Sequence, residues 1–206
     1  MKFPSKIIQD SVEAFSALPG IGKKSALRIV LHLATKSPSI NKAFSNVLLQ
    51  LADQLKTCKQ CFSYSDDELC DICRAPNRDQ SLVCVVESIR DLMAIEETHQ
   101  FKGVYHVLTG LISPIDGIGP DKLTISSLID RLNKNTISEL IMAIRPSIEG
   151  DTTVYYITKN IDPSKVKISM IARGIAFGSE LEYADEFTLG RSIMERTPYS
   201  LNSNGG

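Results

Sequence analysis

No apolar run in the sequence approaches the ~18 residues needed to span a bilayer. No signal-peptide pattern opens it either, since the stretch from Met1 to Asp10 carries charges and no apolar segment ending in a small-residue cleavage site. Net charge is nearly absent too: 23 Lys and Arg face 24 Asp and Glu, leaving −1. The first two absences argue against a membrane or secreted protein. The third argues, on its face, against a nucleic-acid binder. What is present is ordinary globular material, 43% apolar and 23% charged, which excludes a disordered or collagen-like chain. A chain of 206 residues is expected to form one or two domains with at least one sizeable core. A soluble, cytoplasmic protein follows as the expectation.

The charge is unevenly spread, which changes the reading of the total. Residues 1–60 hold nine basic side chains and three acidic ones (Asp10, Glu13 and Asp53), a net +6, so the remainder carries −7. A basic third joined to an acidic remainder suggests two modules with different partners, although a solvated basic helical surface would look the same.

Three regions follow along the chain. From Ile7 to Leu55 the apolar spacing is helical. Ile8, Val12 and Phe15 mark a first helix, and a second is expected from about Gly22 to Ala34. A third opens with Ser37 as cap and Pro38 in the first turn, and places Ile40, Phe44, Val47, Leu48, Leu51 and Leu55 on one face. Residues 58–78 are polar and cysteine-rich, without apolar periodicity. From Leu82 onward short apolar runs (Leu82–Val86, Val104–Leu108, Leu140–Ile144, Val166–Ala172) alternate with helical stretches near Ile89–Glu97, Ile125–Leu132 and Gly150–Ile161. Such alternation predicts an α/β domain with a mostly parallel sheet and helices on both faces. There is no internal repeat, and Leu201–Gly206 reads as a floppy tail.

Leu18-Pro19-Gly20-Ile21-Gly22 separates the first two helices. Proline cannot continue the first helix, and Gly20 and Gly22 permit tight backbone geometry and close approach to another surface. The free N–H groups of the second helix face this turn, an anion site by construction. Lys23, Lys24 and Arg28 follow at once. A P-loop does not fit: Lys24 stands where Ser or Thr should follow the lysine, Ala17 stands where the first Gly should be, and no strand precedes. The stretch resembles a helix-hairpin-helix, which grips phosphates without reading bases. A plain helix–helix turn with incidental lysines is the bland alternative.

Cys58, Cys61, Cys70 and Cys73 form two C-x2-C pairs across an eight-residue spacer. Two such pairs suit a tetrahedral thiolate zinc site, here with a shorter spacer than the usual ribbon. Disulfides are not expected in a reducing cytoplasm. The segment is too poor in apolar residues to fold unaided, so the metal would supply its folding energy. With four protein ligands the zinc would be structural rather than catalytic, and no catalytic residue is assigned. Cys84, inside an apolar run, reads as a small buried side chain.

Glu87 ends the first expected strand, and Glu149-Gly150-Asp151 follows a later one and opens a helix. Ligands of open α/β sheets gather beyond the carboxyl ends of strands, so Glu87, Glu149 and Asp151 could hold Mg²⁺. Acidic residues at a helix start are equally ordinary dipole partners, and the two readings stand side by side. The spacing resembles a Toprim domain, with Glu-x-Asp here in place of the usual Asp-x-Asp. Gly117-Ile118-Gly119 alone is too weak to mark a phosphate loop.

The ordered set of hairpin, cysteine cluster and Toprim-like region resembles the bacterial recombination mediators of the RecR family over nearly the whole length. The most specific stretches are Tyr105-His106-Val107-Leu108, Ser113-Pro114-Ile115-Asp116-Gly117-Ile118-Gly119-Pro120 and Gly178-Ser179-Glu180-Leu181-Glu182-Tyr183-Ala184-Asp185. One departure stands out: Arg145-Pro146-Ser147 replaces the family's usual Asn-Pro-Thr. An arginine there could pair with Glu87, Glu149 or Asp151, which weakens the expectation of Mg²⁺.

The resemblance implies a helix-hairpin-helix DNA-binding domain over 1–56, a four-cysteine zinc-binding segment over 57–79, a Toprim-like domain over 80–177 and a C-terminal segment over 178–206. It implies a DNA-repair protein, nucleoid-associated and without catalytic activity. Such a protein is a homo-oligomer, a tetrameric ring that clamps single- or double-stranded DNA without sequence preference. With RecO, and in some settings RecF, it helps load RecA onto strands covered by single-stranded-DNA-binding protein. One structural Zn²⁺ per chain is the expected cofactor. Gly20, Gly22, Lys23, Lys24 and Arg28 are the expected DNA contacts, and the acidic surface suits a basic protein partner. The rival is a Mg²⁺-dependent phosphoryl-transfer enzyme built on the acidic cluster. It would need a nucleophile, and none of Tyr105, Tyr155, Tyr156 or Tyr183 is singled out. A zinc-stabilised scaffold that binds only protein is the third reading.

Overall fold

The structure is a computed structural model, which describes residues 5–134, 137–172, 174–175 and 178–198. The tail expected at Leu201–Gly206 lies outside the described residues. The chain divides into two compact units, Met1–Leu55 and Lys56–Gly206.

The first unit is helical, as its periodicity predicts. Helix α1 (Lys6–Ser16) starts at Ser5, whose hydroxyl accepts the Ile8 N–H. Helix α2 (Lys23–Ala34) packs against it through Val12, Ala26 and Val30, with Ile8, Phe15, Ile21 and Leu27 around them. Helix α3 (Pro38–Gln54) begins with proline in its first turn, as expected. Its apolar face behaves differently from a core face: none of its residues is buried, and Ile40, Phe44, Val47, Leu48 and Leu51 remain exposed. The periodicity that forms the helix does not by itself supply a cover for it.

The second unit opens with a small hairpin, β1 (Lys56–Thr57) paired antiparallel to β2 (Tyr64–Ser65), followed by the single-turn helix α4 (Asp71–Arg74). Strand β3 (Asp79–Val86) then enters a four-stranded sheet with β4 (Gly103–Val107), β5 (Glu139–Ala143) and β6 (Lys167–Met170). The order is β4-β3-β5-β6, and every pairing is parallel.

Alternate side chains leave opposite faces of these strands, and both faces are apolar. Val83, Val85, Leu140 and Met142 point to one core, with α6 (Ile125–Lys134) and α7 (Ile148–Lys159) contributing Ile125, Leu128 and Ile157. Cys84, Val86, Tyr105 and Ala143 point to the other, which α5 (Ile89–Glu97) covers with Leu92. Cys84 is thus the buried apolar side chain expected of it. Helix α5 starts abruptly because Asp91 closes a box on Ser88, accepting from both its N–H (2.9 Å) and its hydroxyl (2.8 Å).

Two features depart from the sequence reading. Helix α7 starts at Ile148, two residues before its expected beginning, because the Ser147 hydroxyl accepts the Gly150 N–H at 3.0 Å. A further helix, α8 (Glu186–Met194), follows a 3-10 turn at Leu181–Tyr183 and is capped by the Asp185 carboxylate. It had no clear apolar stripe to announce it, and Phe187, Ile193 and Met194 are exposed.

Candidate functional sites: hairpin, cysteine cluster and sheet switch point

The turn between α1 and α2 runs through Gly20 at φ 77°, a left-handed conformation that L side chains resist. The Ile21 N–H donates back to the Leu18 carbonyl at 3.1 Å, closing the turn. Gly22 is the cap residue of α2 and offers no side chain to the first-turn N–H groups. A Cβ at Gly20 or Gly22 would meet nothing within 4 Å, so the turn is open to an approaching surface. Lys23, Lys24 and Arg28 are exposed around it, and none takes part in an ion pair among the described residues. The five residues read from the sequence as DNA contacts therefore run from the turn through the first half of α2, with Gly22, Lys23 and Lys24 at the helix start. Unused N–H donors, a positive dipole end and free cations there suit an anion.

The four cysteines converge. Their sulfurs lie within 4.8 Å of one another, and all four residues are buried. A tetrahedral thiolate site with Zn–S near 2.3 Å has sulfur–sulfur edges of about 3.8 Å. The Cys61 and Cys70 sulfurs stand 3.5 Å apart. The Cys70 N–H donates to the Cys58 sulfur at 3.3 Å, so the backbone already supports a thiolate. Phe62 takes φ 63° to turn the first knuckle, and its N–H donates to the Cys58 carbonyl. Hydrogen bonds from Cys61 and Cys73 draw the Cys70 thiol down, the contact with Cys70 pushes Cys61 up, and the contacts with Cys61 and then Cys70 push Cys73 up. The donor set fits a structural Zn²⁺, whose role would be to hold the two knuckles together.

This cluster is built onto the sheet. The Cys61 carbonyl accepts the Val107 N–H on the free edge of β4 at 2.8 Å, and the Phe62 ring meets His106 edge-on at 5.2 Å. His106 is fully buried, with Nε2 3.0 Å from the Thr124 carbonyl, and burial lowers its pKa to about 4. It is a neutral core histidine. Nearby, Arg78 forks onto Glu96, and the Tyr105 hydroxyl donates to the same carboxylate at 2.6 Å. Arg78 also donates to the Phe101 and Gly103 carbonyls, tying the approach to β3 to the start of β4.

The acidic residues separate. Glu87 follows β3, and Arg145 follows β5, at the carboxyl ends of two neighbouring strands. They form an ion pair at 3.1 Å. Glu149 lies in the first turn of α7, where its own N–H and the Ser147 hydroxyl hold its carboxylate below the usual range. Among the described residues only the cysteines form a cluster of three or more metal-ligating groups. Glu87 is thus paired with Arg145, and Glu149 occupies a position in the first turn of α7 where a carboxylate meets the helix dipole. Asp151 shares the first turn of α7 and does not join them in a three-carboxylate site.

Sequence reasoning missed Arg131. It is 7% exposed, and its Nη1 donates to the Tyr105 carbonyl at 2.8 Å. The available signal was its position on the apolar side of α6, three residues after Leu128.

Comparison with known proteins agrees with this layout. Residues 8–56 match the RecR helix-hairpin-helix model, 55–75 the RecR zinc finger domain with four cysteine ligands, 81–172 the Toprim domain and 174–197 the RecR C-terminal model. Recombination protein RecR of Cytophaga hutchinsonii is 54% identical over 205 residues, covering 99% of this chain and 100% of that protein. The chain belongs to the RecR family. Two further RecR proteins, from Phocaeicola vulgatus and Bacteroides thetaiotaomicron, are 50% and 51% identical over 199 residues, each covering 97% of both chains. The RecR resemblance drawn from the hairpin, cysteines and Toprim-like stretches is thereby borne out, and so is the order of those parts along the chain. No helix among the described residues is long and apolar enough to cross a membrane.

Proposed function

We propose that the chain is a non-enzymatic DNA-binding recombination mediator. The observation that carries this reading is the hairpin: three exposed, unpaired cations beside an uncapped helix N-terminus, which favours phosphate without reading bases. Gly20, Gly22, Lys23, Lys24 and Arg28 are its DNA contacts. One hairpin makes a weak contact, and several copies in a ring raise the effective concentration of each. The exposed apolar face of α3 supports self-association into such an oligomer, a tetramer on the family resemblance. The family resemblance further supports RecO, and in some settings RecF, as partners in loading RecA onto strands held by single-stranded-DNA-binding protein. The acidic side chains around the carboxyl end of the sheet suit a basic protein surface better than a phosphate backbone. Location in the cytoplasm at the nucleoid belongs to the same reading.

A Mg²⁺-dependent phosphoryl-transfer role is less well supported. Arg145 already engages Glu87, and the three carboxylates do not converge.

The deciding experiment incubates the full chain with labelled single-stranded and duplex DNA in the presence of Mg²⁺. Retarded, intact DNA is expected. The double substitution Lys23→Glu and Lys24→Glu should abolish the retardation while zinc content stays at one per chain. Unaltered DNA affinity in that variant would sink the assignment, and cleaved DNA would favour the enzymatic rival.

A further inference from the structure

Arg131 is a buried cation that neither the hairpin nor the acidic cluster uses. Its Nη2 is buried without a hydrogen-bond partner, and no carboxylate pairs with it among the described residues. Burying an uncompensated charge is expensive, so such an arginine implies a counterion. Of the other cations close to the cysteines, Lys59 is paired with Glu68, and Arg74 with Asp67 at 2.7 Å and Asp71 at 2.6 Å, while Lys56 and Lys134 are exposed to solvent. His106 is held neutral by burial.

The edge of β4 places Arg131 beside the cysteine cluster. The Leu108 N–H donates to Val86 on β3, so the backbone groups of Tyr105 and Val107 point the other way, to the free edge. On an extended strand a carbonyl and the N–H two residues later lie on the same edge. Arg131 takes the Tyr105 carbonyl, and the Cys61 carbonyl takes the Val107 N–H. The guanidinium and the first zinc knuckle therefore occupy neighbouring rungs of one strand. A cleft of about 670 Å³ is lined jointly by Lys59, Gln60 and Phe62 of the knuckle and by Asp130, Arg131 and Lys134 of α6, and Asp130 makes no ion pair with Arg131.

Four thiolates around Zn²⁺ carry a net charge of −2. We propose that Arg131 is the buried countercharge of the zinc–tetrathiolate centre, fastening the zinc finger electrostatically to the Toprim sheet. The inference rests on the zinc reading of the four cysteines. Burial works against the charged form of Arg131, while Cys73, Cys61 and Cys58 favour it. Arg131 touches no metal; it is a positioning residue for the ligand set, and its absence would leave the dianion in a less compensating environment. Outer partners of this kind are worth roughly 10- to 100-fold in metal affinity.

The test measures zinc affinity of the full chain by competition with a chromogenic chelator at fixed pH. Arg131→Gln keeps a donor for Tyr105 but loses the charge, and should weaken zinc binding at least about tenfold. Arg131→Lys keeps the charge and should stay close to wild type. In a Cys73→His background, one negative charge poorer, the Arg131→Gln penalty should shrink. Glutamine at wild-type affinity, lysine falling as far as glutamine, or an equal penalty in both backgrounds would each overturn the proposal. Should the glutamine chain fail to fold, the lysine chain decides: wild-type affinity supports the charge, and a tenfold loss overturns it. A wild-type chain that binds no zinc would overturn the zinc reading as well.

Discussion

Replacing Gly150 by alanine should destabilise the α/β unit, although alanine is ordinarily the better helix former. Gly150 sits in the first turn of α7, where a Cβ would stand 2.2 Å from the Arg145 carbonyl oxygen and 3.2 Å from Ile144 Cγ2. The first contact is about 1 Å inside ordinary van der Waals distance, and the atom it meets is backbone, which cannot swing aside. The helix start is held by the Ser147 hydroxyl on the Gly150 N–H, and the Arg145 side chain is held by Glu87. Relief therefore has to move the β5–α7 connection. Overpacking of this kind costs about 1–3 kcal/mol. The intrinsic gain of alanine over glycine in a helix recovers at most about 1 kcal/mol. With that gain fully recovered the expected net loss is up to about 2 kcal/mol, a drop of up to roughly 8 °C in Tm for a unit of this size. Gly190→Ala in α8 is the control, since a Cβ there meets nothing within 4 Å. It should be neutral or stabilising by up to about 1 kcal/mol. Thermal and urea unfolding of both variants reads the contrast. A Gly150→Ala chain as stable as Gly190→Ala would refute the steric argument.

Three further outcomes are expected. Cys58→Ser should release zinc, measured by metal analysis, and lower soluble yield; a fully folded metal-free chain would count against a structural site. Arg78, and to a lesser degree Tyr105, hold the Glu96 carboxylate below its usual range against the opposing effect of burial. Stability from this group is therefore present above the ordinary glutamate value of about 4.3 and is lost as pH falls through the lower folded value. Arg78→Met removes the charged partner of a half-buried Glu96 that keeps the Tyr105 hydroxyl, so it should cost about 1.5–3 kcal/mol, and the acid limb of a stability–pH curve should flatten. DNA affinity should fall with salt, with a log–log slope near −2.7 for each hairpin that neutralises three duplex phosphates. A salt-independent affinity would remove Lys23, Lys24 and Arg28 from the interface.

Much of this was legible in the residues. Arg145 could be named as a potential partner of Glu87, Glu149 or Asp151 because Arg145-Pro146-Ser147 departs from the family's Asn-Pro-Thr. Its meeting with Glu87 at 3.1 Å depends on β3 and β5 being neighbours, and no local pattern states that. The apolar face of α3 was visible in its spacing, but whether anything covers it is a tertiary matter, and in this chain it stays exposed. Helix α8 was missed because its residues present no unbroken apolar stripe, and its start depends on the Asp185 cap.

The sequence alone determined the alternation of helices and strands, the hairpin with its cations and the four metal donors. These features follow from short-range spacing and from the chemistry of single residue types. Only the tertiary structure decided the fate of the charges. It paired Glu87 with Arg145, and it buried Arg131 on the β4 edge beside the zinc knuckle. Charge compensation depends on which distant segments share a low-dielectric environment, and strand order, not local pattern, sets that.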